Sequence, residues 1–130
     1  MAVRSTQEDF LLRELRRVAE MIARALNLRG SGDLPAARNE IDNAYKALLE
    51  GQSDLLRMLD TSSAARLIGN PKKIAALARI TAADAALAAA QGNSKAEQLL
   101  TARALSLAEE AVKLDPADEV AIAALREIRG

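Results

Sequence analysis

The stretch at residues 91–116, QGNSKAEQLLTARALSLAEEAVKLDP, contains the clearest structural signals in the chain. Gly92 and Asn93 favour a turn, and Asn93 or Ser94 followed by Glu97 is typical of a helix N-terminus, because these side chains bind the first free backbone N–H groups. The residues that follow have the helical period of about 3.6, with one apolar side. That apolar side consists of Leu100, Ala104, Leu107, Ala108 and Ala111.

The stretch ends in an Asp-Pro pair that predicts a sharp corner between two helices. Asp115 is predicted to cap the second helix, whose first residue, Pro116, has no backbone N–H to satisfy. At the other end of the chain, Ser5 or Thr6 is the predicted cap of the helix at residues 6–29. Similar cap and period signals predict helices at residues 6–29, 34–50, 71–90, 94–114 and 116–129, with a short helical connector at residues 53–69.

Two short segments resemble parts of the tetratricopeptide (TPR) repeat. Residues 111–116, AVKLDP, are similar to the end of a repeat, and residues 32–37, GDLPAA, are similar to its interhelical turn, with small residues at Ala37 and Ala44. The chain departs from the family in lacking the aromatic and Leu-Gly signature of the first repeat helix. The resemblance implies antiparallel helical hairpins stacked as a short right-handed array with a C-terminal capping helix, as in small bacterial helical-repeat proteins.

Composition also favours an all-α fold. The chain has 130 residues, which is enough for one domain with a real core, so residues 1–130 are predicted to form a single TPR-like domain. Half of the residues are hydrophobic, yet only Phe10 and Tyr45 are aromatic. The core is therefore expected to consist of leucine, isoleucine and alanine on closely packed helices.

Charge and residue types argue against several functional classes. Eighteen basic and eighteen acidic residues cancel, which argues against a dedicated nucleic-acid-binding protein. Histidine and cysteine are absent, so neutral-pH acid–base catalysis by histidine, thiol nucleophiles and thiolate metal sites are excluded. We predict no catalytic residue, metal or cofactor. Because the N-terminus lacks a signal-peptide core and no long apolar run occurs, we expect a cytoplasmic protein without membrane contact.

The first predicted helix has three distinct surfaces. A wide apolar face contains Leu11, Leu12, Leu15, Val18, Ala19, Ile22, Ala25 and Leu26. On the opposite side, Arg13, Arg17 and Arg24 are predicted to contact a protein partner; the alternative is an ordinary solvated face. A thinner apolar line of Phe10, Met21 and Leu28 predicts a homodimer interface, unless the terminal helix folds back and covers it.

A basic segment suggests a second kind of site. Between residues 60 and 84 the basic side chains Arg66, Lys72, Lys73 and Arg79 occur without any acidic ones. Lys72, Lys73 and Arg79 are therefore candidates for binding an anionic ligand near the helix start at Asn70.

Asp84 lies within the apolar stripe of the predicted helix at residues 71–90, which consists of Ile74, Leu77, Ile80 and Leu87. If this carboxylate is buried it needs a charged partner, because an isolated charge in an apolar environment is strongly disfavoured. Arg24, Arg66 and Arg103 are the candidate partners. The alternative is that the helix packs on its alanine side and leaves Asp84 in water.

The sequence thus predicts a non-enzymatic protein–protein interaction or scaffold module on a TPR-like helical domain. The alternative function is a small regulatory domain that binds an anionic ligand through Lys72, Lys73 and Arg79.

Overall fold

Seven α-helices form residues 6–130, the part of the chain that the computed structural model describes. They are α1 Thr6–Gly30, α2 Leu34–Leu49, α3 Ser53–Met58, α4 Thr61–Ile68, α5 Pro71–Ala90, α6 Ser94–Leu114 and α7 Glu119–Arg129. No strand occurs in this part, so the all-α prediction is confirmed. The cap predicted at Ser5 lies outside the described residues.

Two turns of the same geometry join the long helices into hairpins. Gly32 follows α1 with φ +86° and Gly92 follows α5 with φ +76°, a conformation that favours glycine because it has no Cβ. The next residues, Asp33 and Asn93, each cap the following helix by accepting a hydrogen bond from the N–H three residues on. In both turns the N–H of the capping residue donates to the carbonyl five residues earlier, at 2.9 Å. These bonds satisfy groups that a helix end otherwise leaves free.

α5 is the central helix of the fold. It packs against α1, α2, α6 and α7, and its residues are buried on nearly every side. α2 packs against α1, and α6 packs against both α4 and α7. The predicted stripe of Ile74, Leu77, Ile80 and Leu87 was therefore too narrow, because the alanines between these residues are small enough to bring neighbouring helices close on the other sides. One hydrophobic cluster contains buried residues from all seven helices.

The core-facing side of α1 is rotated relative to the prediction. Met21 and Leu28 are half-buried and pack against the core, whereas Ala19 is exposed and Leu26 is 38% exposed. Two neighbouring helices, α2 and α5, cover the side with the larger side chains, because this buries more apolar surface than covering Ala19. Met21 and Leu28 of the predicted dimer line therefore contribute to the packing of α1 on the core, and a dimer interface at this line stays a prediction. Phe10, at 55% exposure, remains outside.

The last helix begins three residues later than predicted. α7 starts at Glu119 and its N-cap is Asp118, whose Oδ1 accepts a hydrogen bond from the Ala121 N–H at 3.0 Å. Asp115 instead closes a turn, in which its side chain accepts from the Ala117 N–H at 3.1 Å. The Asp-Pro pair thus forms the corner itself and does not begin the helix.

Two short helices form the connector between the hairpins, and polar contacts fix them on α6. Arg103 donates hydrogen bonds to the carbonyls of Leu56 and Leu59 at 2.9 and 2.8 Å, which satisfies free groups at the end of α3. The hydroxyls of Thr61 and Ser106 lie 2.7 Å apart. Arg103 is therefore not the partner of Asp84.

Asp84 is buried, with 3% of its surface exposed, and its partners come from α2 and α3. Arg38 Nη2 donates to Oδ1 at 2.5 Å and the Tyr45 hydroxyl donates to Oδ2 at 2.8 Å. Arg57 lies 3.9 Å from Oδ2, with its guanidinium over the Tyr45 ring at 4.2 Å. Burial on its own lowers the pKa of Arg38, but the hydrogen bond and charge of Asp84 outweigh it and raise that pKa.

The three predicted partners of Asp84 have other contacts. Arg24 pairs with Glu40 at 3.4 Å and Arg66 donates to Ser63 Oγ at 3.4 Å, while Arg103 binds the α3 carbonyls. The prediction correctly considered that Asp84 is buried and paired, but the three partners that it named were wrong. They lie on α2 and α3 because these helices pack beside this side of α5.

Changing Asp84→Asn tests how strongly this cluster holds the fold. The variant leaves two arginines without their shared counter-charge. Breaking a buried pair costs about 3–5 kcal/mol, and since Arg38 is a third exposed we expect a loss of about 2–3 kcal/mol in the free energy of unfolding. Urea denaturation followed by circular dichroism measures this loss.

Asp42→Asn is the matched control, because Asp42 pairs with the same Arg38 at 3.3 Å from a more exposed position. We expect this control to lose no more than about 0.5 kcal/mol. Equal losses in the two variants would show that burial of Asp84 does not increase its contribution to the free energy of unfolding.

Candidate functional site

An open groove runs over α5 between α1 and α7. Its floor is a stripe of α5 with helical spacing, in which small alanines alternate with two basic residues: Lys72, Ala76, Arg79, Ala83 and Ala86. These residues span about 21 Å at 1.5 Å per residue. Because three of the five are alanines, the floor lies close to the α5 backbone and leaves room above it.

The walls of the groove are mainly apolar. α1 contributes Leu15, Val18, Ala19, Ile22 and Leu26, and α7 contributes Val120, Glu127 and Ile128. The larger part has a volume of 490 Å³, and a part of 40 Å³ adjoins it through Ile22 and Arg79, which line both. A volume of this size is in the range of specific binding sites in proteins.

Two ion pairs along the groove fix α7 on α5. Lys72 pairs with Asp118, and Arg79 Nε pairs with Glu127 at 3.1 Å. Lys72 precedes Arg79 along α5, and their partners Asp118 and Glu127 follow each other in the same order, so α5 and α7 run parallel. Lys72 lines the groove together with Leu15, whereas Ala86 does so with Leu26, so α1 runs in the same direction.

Asp118 connects the start of α7 to the start of α5. Burial on its own raises the pKa of Asp118. The hydrogen bond from Lys72, the backbone N–H bonds and the Lys72 charge outweigh burial, so the pKa is lowered below the usual aspartate value. The same carboxylate therefore caps α7 and binds Lys72.

One end of the groove contains polar groups from α6. Glu97 is half-buried and Thr101 is exposed, one helical turn apart on the groove side of α6. Glu97 has no ion pair with any residue in the range 6–130. The apolar surface of this part is formed mainly by alanine side chains, with a few larger aliphatic ones.

The predicted anion site is not assembled. Lys72 and Arg79 have carboxylate partners, and Lys73 lines a separate cavity of 140 Å³ beside Leu48 and Glu50. The prediction depended on a segment without acidic residues. That segment is not free of acidic neighbours in the fold, because Asp118 and Glu127 come from 46 and 48 residues further along the chain. Binding of an anion by Lys72, Lys73 and Arg79 stays a prediction.

The predicted arginine surface lies apart from the groove. Arg13, Arg17 and Arg24 are all exposed on one side of α1, and Arg24 reaches Glu40 of α2 at 3.4 Å. Arg13 and Arg17 pair with no acidic residue that the structure describes. Whether this surface contacts a partner stays a prediction.

The described residues offer few groups suited to metal binding, membrane spanning or proton transfer. Within residues 6–130 no cluster of three acidic, histidine or cysteine side chains is able to hold a metal ion. No helix among the described residues has the length and apolar character needed to cross a membrane. Burial and the neighbouring Asp84 charge raise the pKa of the Tyr45 phenol, which therefore stays protonated as a hydrogen-bond donor. Tyr45 and Asp84 thus serve the fold.

Sequence reasoning missed the acidic residues that border the groove. The start of the last helix was predicted at Pro116 with Asp115 as its cap, although an aspartate three residues before Ala121 is a regular N-cap signal. Glu127 gave no local signal. Its role depends on the parallel packing of α5 and α7, which brings together residues far apart in sequence.

The Asp118 ion pair predicts a dependence of stability on acid pH. Since the pKa of folded Asp118 is below the ordinary value of 3.8, the ionised side chain stabilises the fold above pH 3.8. This contribution is lost as the pH falls through the folded pKa. Asp118→Asn keeps a good helix cap and removes the charge, so its free energy of unfolding should fall less steeply below about pH 4.

Urea unfolding at a series of pH values measures the slope. Asp115→Asn, which removes a nearby exposed carboxylate, is the control measured in the same way. Parallel curves for Asp118→Asn and wild type would contradict the assigned role of this ion pair.

Comparisons of this chain with protein-family models, curated proteins and solved structures found no match. The groove and the ion pairs along it are therefore the basis for assigning a function.

Proposed function

We propose that this chain is a non-enzymatic protein-interaction module whose groove over α5 receives a helix of a protein partner. The observation that carries the proposal is the open apolar groove between α1 and α7. The absence of histidine and cysteine from the sequence supports a binding role over catalysis. Asp84 and Tyr45 are the buried polar residues that a catalytic function would require, but they are hydrogen-bonded to each other.

The packing order supports a TPR-like architecture for this module. α1 and α2 form one hairpin, α5 and α6 form a second, and α7 follows as a capping helix. Each of these helices packs against the next one in this order, and the first helices of successive units also contact, as α1 with α5 and α5 with α7. Helical-repeat stacks expose an extended concave surface for partners, and the groove lies on the surface shared by α1, α5 and α7.

A helix fits this groove better than an extended peptide does. The walls are helices, whose backbone groups already bond within the helix, and the two basic residues on the floor are paired with Asp118 and Glu127. An extended peptide would leave its own N–H and C=O groups without partners there, whereas a helix satisfies them internally. The floor of about 21 Å matches a helix of about 14 residues.

The paired cations favour this function over anion binding. Lys72 and Arg79 would have to exchange their carboxylates for the ligand, and Lys73 lies elsewhere. No described feature assembles three free cations around a common point.

A displayed library of helix-forming 16-residue peptides tests the groove. We expect selected peptides to carry large apolar residues at helical spacing, because such residues fill the space above the alanine floor. Ala86→Trp places a large ring in the groove, so it should weaken binding of these peptides at least tenfold. Fluorescence anisotropy with the purified peptides measures the change.

Ala102→Trp is the matched control, since Ala102 is an exposed alanine of α6 that does not line the groove. It should bind the peptides like the wild type, and circular dichroism verifies that both variants fold. Peptides that bind both variants equally would place the interaction outside the groove.

Changing Arg13 and Arg17 to Glu tests the arginine surface separately, because these exposed side chains do not line the groove. Unchanged peptide affinity in this variant would assign the binding to the groove alone.

A further inference from the structure

The two hairpins of the fold correspond residue by residue. Gly32 and Gly92 lie at the same place in the two turns, as do the caps Asp33 and Asn93, so each residue of the first hairpin corresponds to the residue 60 positions later in the second. α5 contacts both helices of the first hairpin, α1 and α2, and α7 contacts both helices of the second, α5 and α6. α5 and α7 therefore have corresponding places in the fold.

α7 corresponds only to the first half of α5. Asn70 and Asp118 cap the two helices, so residues of α7 correspond to residues 48 positions earlier in α5. Ala76 and Ala124, for example, correspond and are both buried. Because α7 has 11 residues and α5 has 20, no helix in residues 6–130 lies on the second hairpin where residues 82–90 of α5 lie on the first.

This place is the larger part of the groove. On the first hairpin, Asp84 in the second half of α5 binds α2 on both sides of Ile41. Three residues on one side of α2 are buried there: Ala37, Ile41 and Ala44. The corresponding residues of α6 line the 490 Å³ part of the groove: Glu97, Thr101 and Ala104. Glu127 and Ile128, near the end of α7, line the same part, so a helix that continues the line of α7 would cover Glu97 and Thr101.

The charge that suits this place is opposite to the charge that α5 carries on the first hairpin. There Arg38 and Tyr45 donate hydrogen bonds to Asp84. The corresponding residues of α6 have no positive charge: Gln98 and Leu105. A carboxylate in this place would therefore lack a counter-charge.

Glu97 makes the larger part of the groove acidic. It is half-buried and forms no ion pair with any described residue. The other two charged residues of this part, Arg79 and Glu127, neutralise each other. Glu97 lies one helical turn from Thr101, which is within the reach of a long basic side chain beside Thr101. A lysine or arginine there would be attracted by the Glu97 carboxylate.

We infer that the larger part of the groove binds a basic helix of a partner protein, which lies in line with α7 and parallel to α5. This helix carries a lysine or arginine at the place where α5 carries Asp84. The contact corresponds to residues 82–90 of α5, which is about 13 Å of helix. The inference rests on the proposed function, in which the groove receives a partner helix, and it gives that helix a position, a direction and a charge.

A helix appended to the full chain tests the position and the charge. Gly130→Ala replaces the residue at which α7 ends, and a copy of residues 83–90, ADAALAAA, is added after it. One form keeps the aspartate of this segment and a second form has lysine in its place. The lysine form should unfold at a higher urea concentration than the aspartate form, because lysine pairs with Glu97. Circular dichroism measures both midpoints.

The same two forms in a Glu97→Lys background show whether Glu97 causes the difference. The advantage of the lysine form should be lost there. Glu20→Lys is the matched control, because Glu20 is an exposed carboxylate of α1 that does not line the groove, and it should keep the advantage. An advantage that persists with Glu97→Lys would overturn the inference, since lysine near the end of any helix is favourable.

Peptides from the displayed library test the contact between two chains. Those that Ala86→Trp weakens should carry a lysine or arginine, and Glu97→Lys should weaken their binding at least tenfold in fluorescence anisotropy, whereas Glu20→Lys should not. Groove-binding peptides that bind the Glu97→Lys variant like the wild type would overturn the inference and leave the proposed function intact. A library without any groove-binding peptide would reject the proposed function and the inference together.

Discussion

The buried carboxylate of Asp84 imposes the strongest constraint on this fold. A charge inside an apolar helix cluster requires opposite charge and hydrogen-bond donors close by. Arg38 and Tyr45 of α2 and Arg57 of α3 provide them, so these two helices have to meet α5 at one point. Apolar side chains alone allow helices to slide or rotate against each other, whereas this contact has a single satisfactory geometry.

Alanine explains both the central helix and the groove. α5 has neighbours on four sides because its alanines let other helices approach closely, with little side-chain bulk between the axes. On the side between α1 and α7 none of the helices in residues 6–130 fills the position above the alanines. The same small residues that tighten the core on one side therefore leave space on the other.

Local signals allowed the helices to be predicted from the sequence, while relations between helices were mostly out of reach. Asn70 and Asn93 were recognised at helix starts because they act on N–H groups two or three residues away. The start of α7 was misplaced because Asp115 and Asp118 are equally good caps in isolation. Lys72, which lies 46 residues away, pairs with Asp118 and so adds a tertiary contact at that position.

The surfaces of α1 show the same limit. Apolar residues cover so much of its circumference that more than one orientation is compatible with the sequence. The positions of α2 and α5 decide between them. The partners of Asp84 were missed for a related reason. Arg38 lies on the same side of α2 as Tyr45, seven residues away, but only the packing of α2 on α5 shows that this side faces Asp84.

The spans of the polar contacts have a consequence for cooperativity. Several side-chain hydrogen bonds in the described range join residues more than 20 positions apart in sequence. In every one of them the separation lies between 39 and 48 positions. Such a span links one structural unit to its neighbour, and no such bond joins the first hairpin directly to α7. Unfolding of one end is therefore transmitted to the other through the hairpin of α5 and α6, so these two helices determine whether the chain melts in one transition or from its ends inward.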